Sequence, residues 1–167
     1  MLSKETGKEL NTYLVNYVII DVETTGVDSY KDELIEISAV KVKGEEIIKE
    51  FDSFIKPMVP IPAVVTELTG ITDSVVEQSP EINDVLAGFL EFIEDDVLVC
   101  HNAPFALSFL NRDIWEQCGK VIGNDYIDTN HIARKRLPQL RTRVLPALVD
   151  YYGINVAGDT GLLTDCH

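Results

Sequence analysis

The run Tyr17-Val18-Ile19-Ile20-Asp21 constrains the fold more than any other part of the sequence. It is short and β-branched, has no helical period and stops at an acid, which predicts a fully buried strand. Such strands lie in sheets that helices cover. Leu34 to Val42 and Glu46 to Ile55 mix apolar and polar residues around Lys43-Gly44-Glu45, so two antiparallel strands joined by a glycine turn should follow. Pro57, Pro60 and Pro62 break the sheet, and a short helical piece leads to Thr69-Gly70.

Ser79-Pro80 predicts an N-cap followed by proline at the first helical position. Beyond it, Ile82, Val85, Leu86, Phe89, Leu90 and Ile93 fall on one helical face. Val97 to Cys100 reads as a second buried strand, and Pro104 opens a helix that Gly119 is placed to end after Cys118. Trp115 on that helix is expected in the core. A strand at Tyr126 to Asp128, a helix stopped near Pro138 and a last helix from Pro146 to Tyr152 complete the pattern. Asp128 is placed to cap the helix after it, with support of the site as its second role. Strands first in a meander and then alternating with helices give an α/β fold, a mixed central sheet covered by helices. With 167 residues the chain suits one domain, expected over 17–167, behind an N-terminal extension at 1–16.

Charge argues against a polyanion at first sight. Twenty-eight Asp and Glu against 14 Lys and Arg leave a net charge of −14, which repels nucleic acid at long range. The distribution changes that picture. Arg134, Lys135, Arg136, Arg141 and Arg143 fall within ten residues that hold no acid, so this segment carries +5 and the other 157 residues carry −19. It is either a solvated basic face or an edge that tracks the phosphates of a single strand. Three cysteines, Cys100, Cys118 and Cys166, show no paired spacing and read as reduced cytosolic thiols. No stretch is apolar enough for a membrane span, so a cytoplasmic protein is expected.

Asp21 and Glu23 sit two residues apart at the carboxyl end of the first strand, which puts both carboxylates on one side. Two acids held there repel unless a divalent cation shares them, and hard oxygen ligands favour Mg²⁺ or Mn²⁺. Thr24, Thr25 and Gly26 follow, offering hydroxyls and backbone N–H groups to a phosphate or sugar. A solvated strand end followed by a turn is the alternative reading of the same residues.

DVETTG at Asp21 to Gly26, HNAPF at His101 to Phe105 and the closing Asp165-Cys166 together resemble the DEDDh exonucleases, the DnaQ-like group that includes proofreading subunits and PolC-type exonuclease domains. IPAVVTELTGITD at Ile61 to Asp73 and IDTNHIARKRLP at Ile127 to Pro138 look like the same family's connecting segments. The resemblance implies a ribonuclease H-like exonuclease fold and removal of nucleotides from the 3′ end of DNA or RNA. It also implies two metal ions held by four acids, and a histidine base. Asp21, Glu23 and Asp165 match three of those acids. Val27 stands where family members set an apolar side chain against the terminal base. His101 and Asn102 are expected to shape the site or touch the substrate backbone, and Arg141 and Arg143 to contact its phosphates.

Two positions depart from the family pattern. Ala106 stands where HNA-x-F-D has its aspartate, and Thr160 stands where the histidine belongs. Alanine binds no metal, and a threonine hydroxyl does not take a proton near neutral pH as an imidazole does. One Mg²⁺ or Mn²⁺, or none, is therefore expected in place of two. Asp165 lies two residues from the end, where the family continues through a helix, so the chain reads as truncated there. The resemblance leaves three readings: a weakened 3′→5′ exonuclease with a DNA polymerase as possible partner, a non-cutting pseudo-exonuclease that holds 3′ ends or a polymerase, and a scaffold that keeps only the fold.

Overall fold

The computed structural model describes residues 2–154; Thr160, Asp165, Cys166 and His167 lie outside the described residues. Elements follow in the order β1 (Leu2–Ser3), β2 (Asn16–Thr24), β3 (Leu34–Lys43), β4 (Glu46–Phe54), α1 (Ala63–Thr69), α2 (Asp73–Val76) and α3 (Ile82–Ile93). Then come β5 (Leu98–Cys100), α4 (Ala103–Cys118), β6 (Val121–Ile122), β7 (Tyr126–Asp128), α5 (Thr129–Arg136) and α6 (Leu145–Tyr152). The main sheet has the order β4-β3-β2-β5-β7. Its first three strands form the antiparallel meander, and β5 and β7 join β2 in parallel. This is the mixed α/β sheet the sequence implied.

The alternation along β2 decides which face carries chemistry. Val18, Ile20 and Val22 point into the main core with Phe89 of α3 and Phe109, Leu110 and Ile114 of α4, all buried. Phe51 of β4 packs on Phe89 and Phe92 at centroid distances of 5.8 and 5.7 Å. Ile19, Asp21 and Glu23 lie on the other face and are only half-buried. The expectation of a strand buried throughout thus holds for one face of β2. The strand enclosed on both sides is β3, buried without a break from Leu34 to Val40.

Two other expectations need correction. The helix after Ser79-Pro80 starts at Ile82 with Glu81 as N-cap, because Pro80 gives its carbonyl to the Lys56 N–H at 2.9 Å and stays extended from the helix. Trp115 is 56% exposed rather than in the core, since α4 turns Phe109, Leu110 and Ile114 inward and Trp115 falls outside that stripe. Residues 2–10 are built onto the domain. Leu2 and Ser3 pair antiparallel with β6, while Leu10 N–H donates to Tyr126 O at 2.7 Å and Tyr126 N–H to Lys8 O at 2.9 Å. This arm covers the outer edge of β7, an edge that would otherwise present unpaired backbone groups.

Candidate active site at the carboxyl ends of the parallel strands

Parallel register brings the site together. Ile19 pairs with Val99, so Asp21 and His101 each lie two residues beyond that pair, and Cys100 pairs with Asp128. The ends of β2, β5 and β7 therefore gather Asp21, Glu23, His101, Asn102, Asp128 and Thr129. In open α/β sheets the carboxyl ends of strands are where ligands bind.

The turn between β5 and α4 is strained and tightly held. Asn102 has φ 71° and ψ 53°, a left-handed conformation that non-glycine residues adopt at a cost of roughly 1–2 kcal/mol. Its N–H donates to Asp128 Oδ1 at 3.0 Å, and the same oxygen accepts the Asn130 N–H at 2.9 Å. Asp128 thus caps α5, as its sequence position implied, and anchors the Asn102 turn as well. His101 Nδ1 lies 2.9 Å from Thr129 Oγ1, and that hydroxyl donates to Cys100 O at 3.4 Å.

The acidic side of the sheet is wider than the sequence suggested. Across the antiparallel ladder Glu23 faces Glu36, Asp21 faces Ser38, and Ser38 faces Asp52. Glu36 is buried, and its carboxyl is pushed up to about 8, first by burial and then by Asp52, with Glu23 and Asp21 adding. Glu36 therefore stays protonated near neutral pH. Sequence reasoning missed it, although an acid in the apolar run Leu34-Ile35-Glu36-Ile37 was the available signal.

The Thr24–Val27 turn is mostly self-satisfied. Thr24 Oγ1 donates to the Gly26 carbonyl, and Thr25 Oγ1 accepts the Glu33 N–H at 2.9 Å. A Cβ on Gly26 would lie 2.4 Å from Asp32 Oδ2, so a larger residue there would have to push the Asp32 carboxylate aside. Arg112, also missed, clamps the loop from outside by donating to Ser29 O at 2.6 Å and Asp32 O at 2.5 Å. Thr24 Oγ1 thus donates inside the turn and Thr25 Oγ1 serves there as an acceptor, while Val27, 86% exposed, is what the turn presents outward.

Ala106 lies one turn into α4 and is buried in the main apolar cluster. Among the described residues no group of three or more His, Cys, Asp or Glu side chains could hold a metal ion. Asp21 and Glu23 alone supply two hard oxygen ligands, fewer than a divalent ion of this kind takes from its full shell. Arg141 and Arg143 line a cavity of about 620 Å³ together with His101 and Asn102. His131 is not at this site; it pairs with Glu9 of the N-terminal arm. No described helix is long and apolar enough to cross a membrane.

A five-stranded mixed sheet with acids at the carboxyl end of its central strand defines a ribonuclease H-like protein. The chain belongs to the RNase T-type exonuclease family, whose profile matches residues 18–159. It is 41% identical over 140 residues to the PolC-type DNA polymerase III of Clostridium perfringens, covering 84% of this chain and 10% of that protein. The corresponding Bacillus subtilis protein is 41% identical over 143 residues, again covering 84% and 10%. The chain thus spans about a tenth of the length of these relatives.

Among solved structures, exonuclease X in complex with 5′ overhanging duplex DNA aligns with TM-score 0.72 and 26% identity, over 90% of this chain and 84% of that one. E. coli exonuclease I in complex with a dA16 oligonucleotide aligns with TM-score 0.71 over 92% and 38% of the two chains; at 16% identity it shares the fold.

Proposed function

We propose that this chain is a 3′→5′ exonuclease unit of the kind found in PolC-type polymerases, acting on single-stranded 3′ ends of DNA or RNA and weakened by Ala106 and Thr160. The observation that carries this reading is the placement of Asp21 and Glu23 on one face at the end of β2, beside the His101–Asn102 turn. Polymerase relatives and nuclease neighbours solved with DNA support the substrate class and a polymerase as partner.

Asp21 and Glu23, with Asp165, would hold Mg²⁺ or Mn²⁺, which when bound activates water and stabilises the leaving oxygen. The chain's own residues orient the substrate. Val27 offers an exposed apolar surface to a terminal base, and the Asp128-anchored turn fixes where His101 and Asn102 stand. Ala106 contributes no ligand, and Thr160 contributes no base at neutral pH. Loss of a general base alone costs about 10²–10⁴-fold in rate.

A second reading, a module that binds 3′ ends without cutting them, is favoured by one observation: a buried methyl at Ala106 where the family pattern has a carboxylate. Release of nucleotides from an end-labelled single strand, with Mg²⁺ or Mn²⁺, separates the two. The chain itself should be slow, and A106D/T160H faster by at least the general-base factor. A folded A106D/T160H protein that releases nothing would leave the binding module.

A further inference from the structure

We propose that the cavity lined by Arg134, Arg141 and Arg143 is a phosphate seat that grips a nucleic-acid backbone without any divalent ion. The inference deepens the nucleic-acid reading above and does not depend on hydrolysis. The cavity, about 620 Å³, has a size typical of ligand sites. In a chain with 28 acids its lining contains none, and it gathers three of the five arginines in the sequence. None of the three pairs with a carboxylate among the described residues. Guanidinium groups left without acids in an acidic protein are matched to an outside anion, and their planar forks fit phosphate oxygens.

The three arginines are held differently. Arg143 Nη2 donates to Leu137 O at 3.0 Å and Pro138 O at 2.9 Å, which fixes the guanidinium against the 137–143 loop. Its Nε is buried and has no hydrogen-bond partner among the described residues. An unpartnered charged donor is costly, and an oxyanion settling against this group would supply what it lacks. Arg134, in the last turn of α5, is steadied by Asn130 Oδ1 at 3.3 Å from its Nε. Arg141 stands on the exposed loop between α5 and α6. The amino end of α6 lies at the same wall, and its N-cap Val144 offers no side-chain acceptor, so the positive end of that helix adds to the field.

Placement gives the seat its use. His101 and Asn102 line the same cavity, and they adjoin Asp21 and Glu23 through the β2–β5 register. A strand with its 3′ end at the acid pair would cross the arginines with a phosphate upstream of the scissile one. The long-range repulsion of a −14 chain is thereby met at a local, acid-free contact.

The test uses the whole chain and a short fluorescent single strand in EDTA, with anisotropy read between about 50 and 200 mM salt. Each neutralised phosphate contributes about −0.7 to the log–log slope, so R134Q/R141Q should be shallower by about 1.4, roughly a sevenfold smaller loss over that range. Arg143 is left in place because it also holds the loop. If the pair variant melts early, R141Q alone carries the test, with about half that change in slope. Unchanged slopes, or binding that appears only with Mg²⁺ or Mn²⁺, would overturn the proposal. Inorganic phosphate at constant ionic strength should displace the strand from the parent more readily than from R134Q/R141Q, and equal displacement from both would also overturn it. Failure here leaves the nuclease reading standing, and silence of A106D/T160H in hydrolysis leaves this seat standing.

Discussion

Replacing Asp128 with alanine should cost far more than its position at a helix start would suggest. An N-cap to alanine typically loses about 1 kcal/mol. Here one carboxylate oxygen accepts two backbone N–H groups, Asn130 at 2.9 Å and Asn102 at 3.0 Å, in a residue that is 7% exposed. Hydrogen bonds to charged groups are worth about 1.5–3 kcal/mol each, and both donors would be left short of a partner. The Asn102 turn would also lose the bond that holds its left-handed backbone. Together these predict a loss of about 3–5 kcal/mol. Urea denaturation of the parent, D128A and D128N measures it. D128N keeps an acceptor oxygen and should lose less than half as much. A D128A loss near 1 kcal/mol, equal to that of D128N, would refute the double anchoring and leave a simple cap.

Glu36 is protonated in the folded chain up to about pH 8 but has an ordinary carboxylate value of 4.5 when unfolded. The folded state therefore holds the extra proton between those values, and stability should fall by a few kcal/mol as pH rises through that window. E36Q should flatten the fall, as read from urea midpoints at pH 5 and 8. A fall unchanged in E36Q would contradict the assignment. F89A, which empties a fully buried site against Phe51, should lose about 3–5 kcal/mol, and a loss under about 1 kcal/mol would mean the core is not built as described. G7A should lift the N-terminal arm, because its Cβ would lie 1.8 Å from Asn124 O. Faster amide exchange at Leu10 and Tyr126 would register that, and unchanged exchange would count against the arm as an edge cover.

Local pattern carried most of the fold. The β-branched run at Tyr17 to Asp21, the glycine turn after Lys43 and the helical stripe from Ile82 to Ile93 act through neighbours in sequence, and each element stands close to where it was expected. What escaped depends on partners far along the chain. The pairing of Leu2 with Ile122 has no local signature, and Glu36 gains its character only when β3 lies between Glu23 and Asp52. The candidate site divides in the same way. Asp21, Glu23, His101 and Asn102 were legible as motifs. The anchoring of the turn by Asp128 and the clamp of Arg112 on the 29–32 backbone appear only in three dimensions.

The proposed function places the reactive centre of an exonuclease at the acid pair that ends β2. In the A106D/T160H background, the direct measurement is nucleotide release from 3′-labelled and 5′-labelled single strands with Mn²⁺ present, before and after D21N. Early release of the 3′ label only is expected, falling at least 10²-fold in D21N, the scale on which metal ligands and their support act. Early release of the 5′ label, or release that D21N leaves intact, would contradict it.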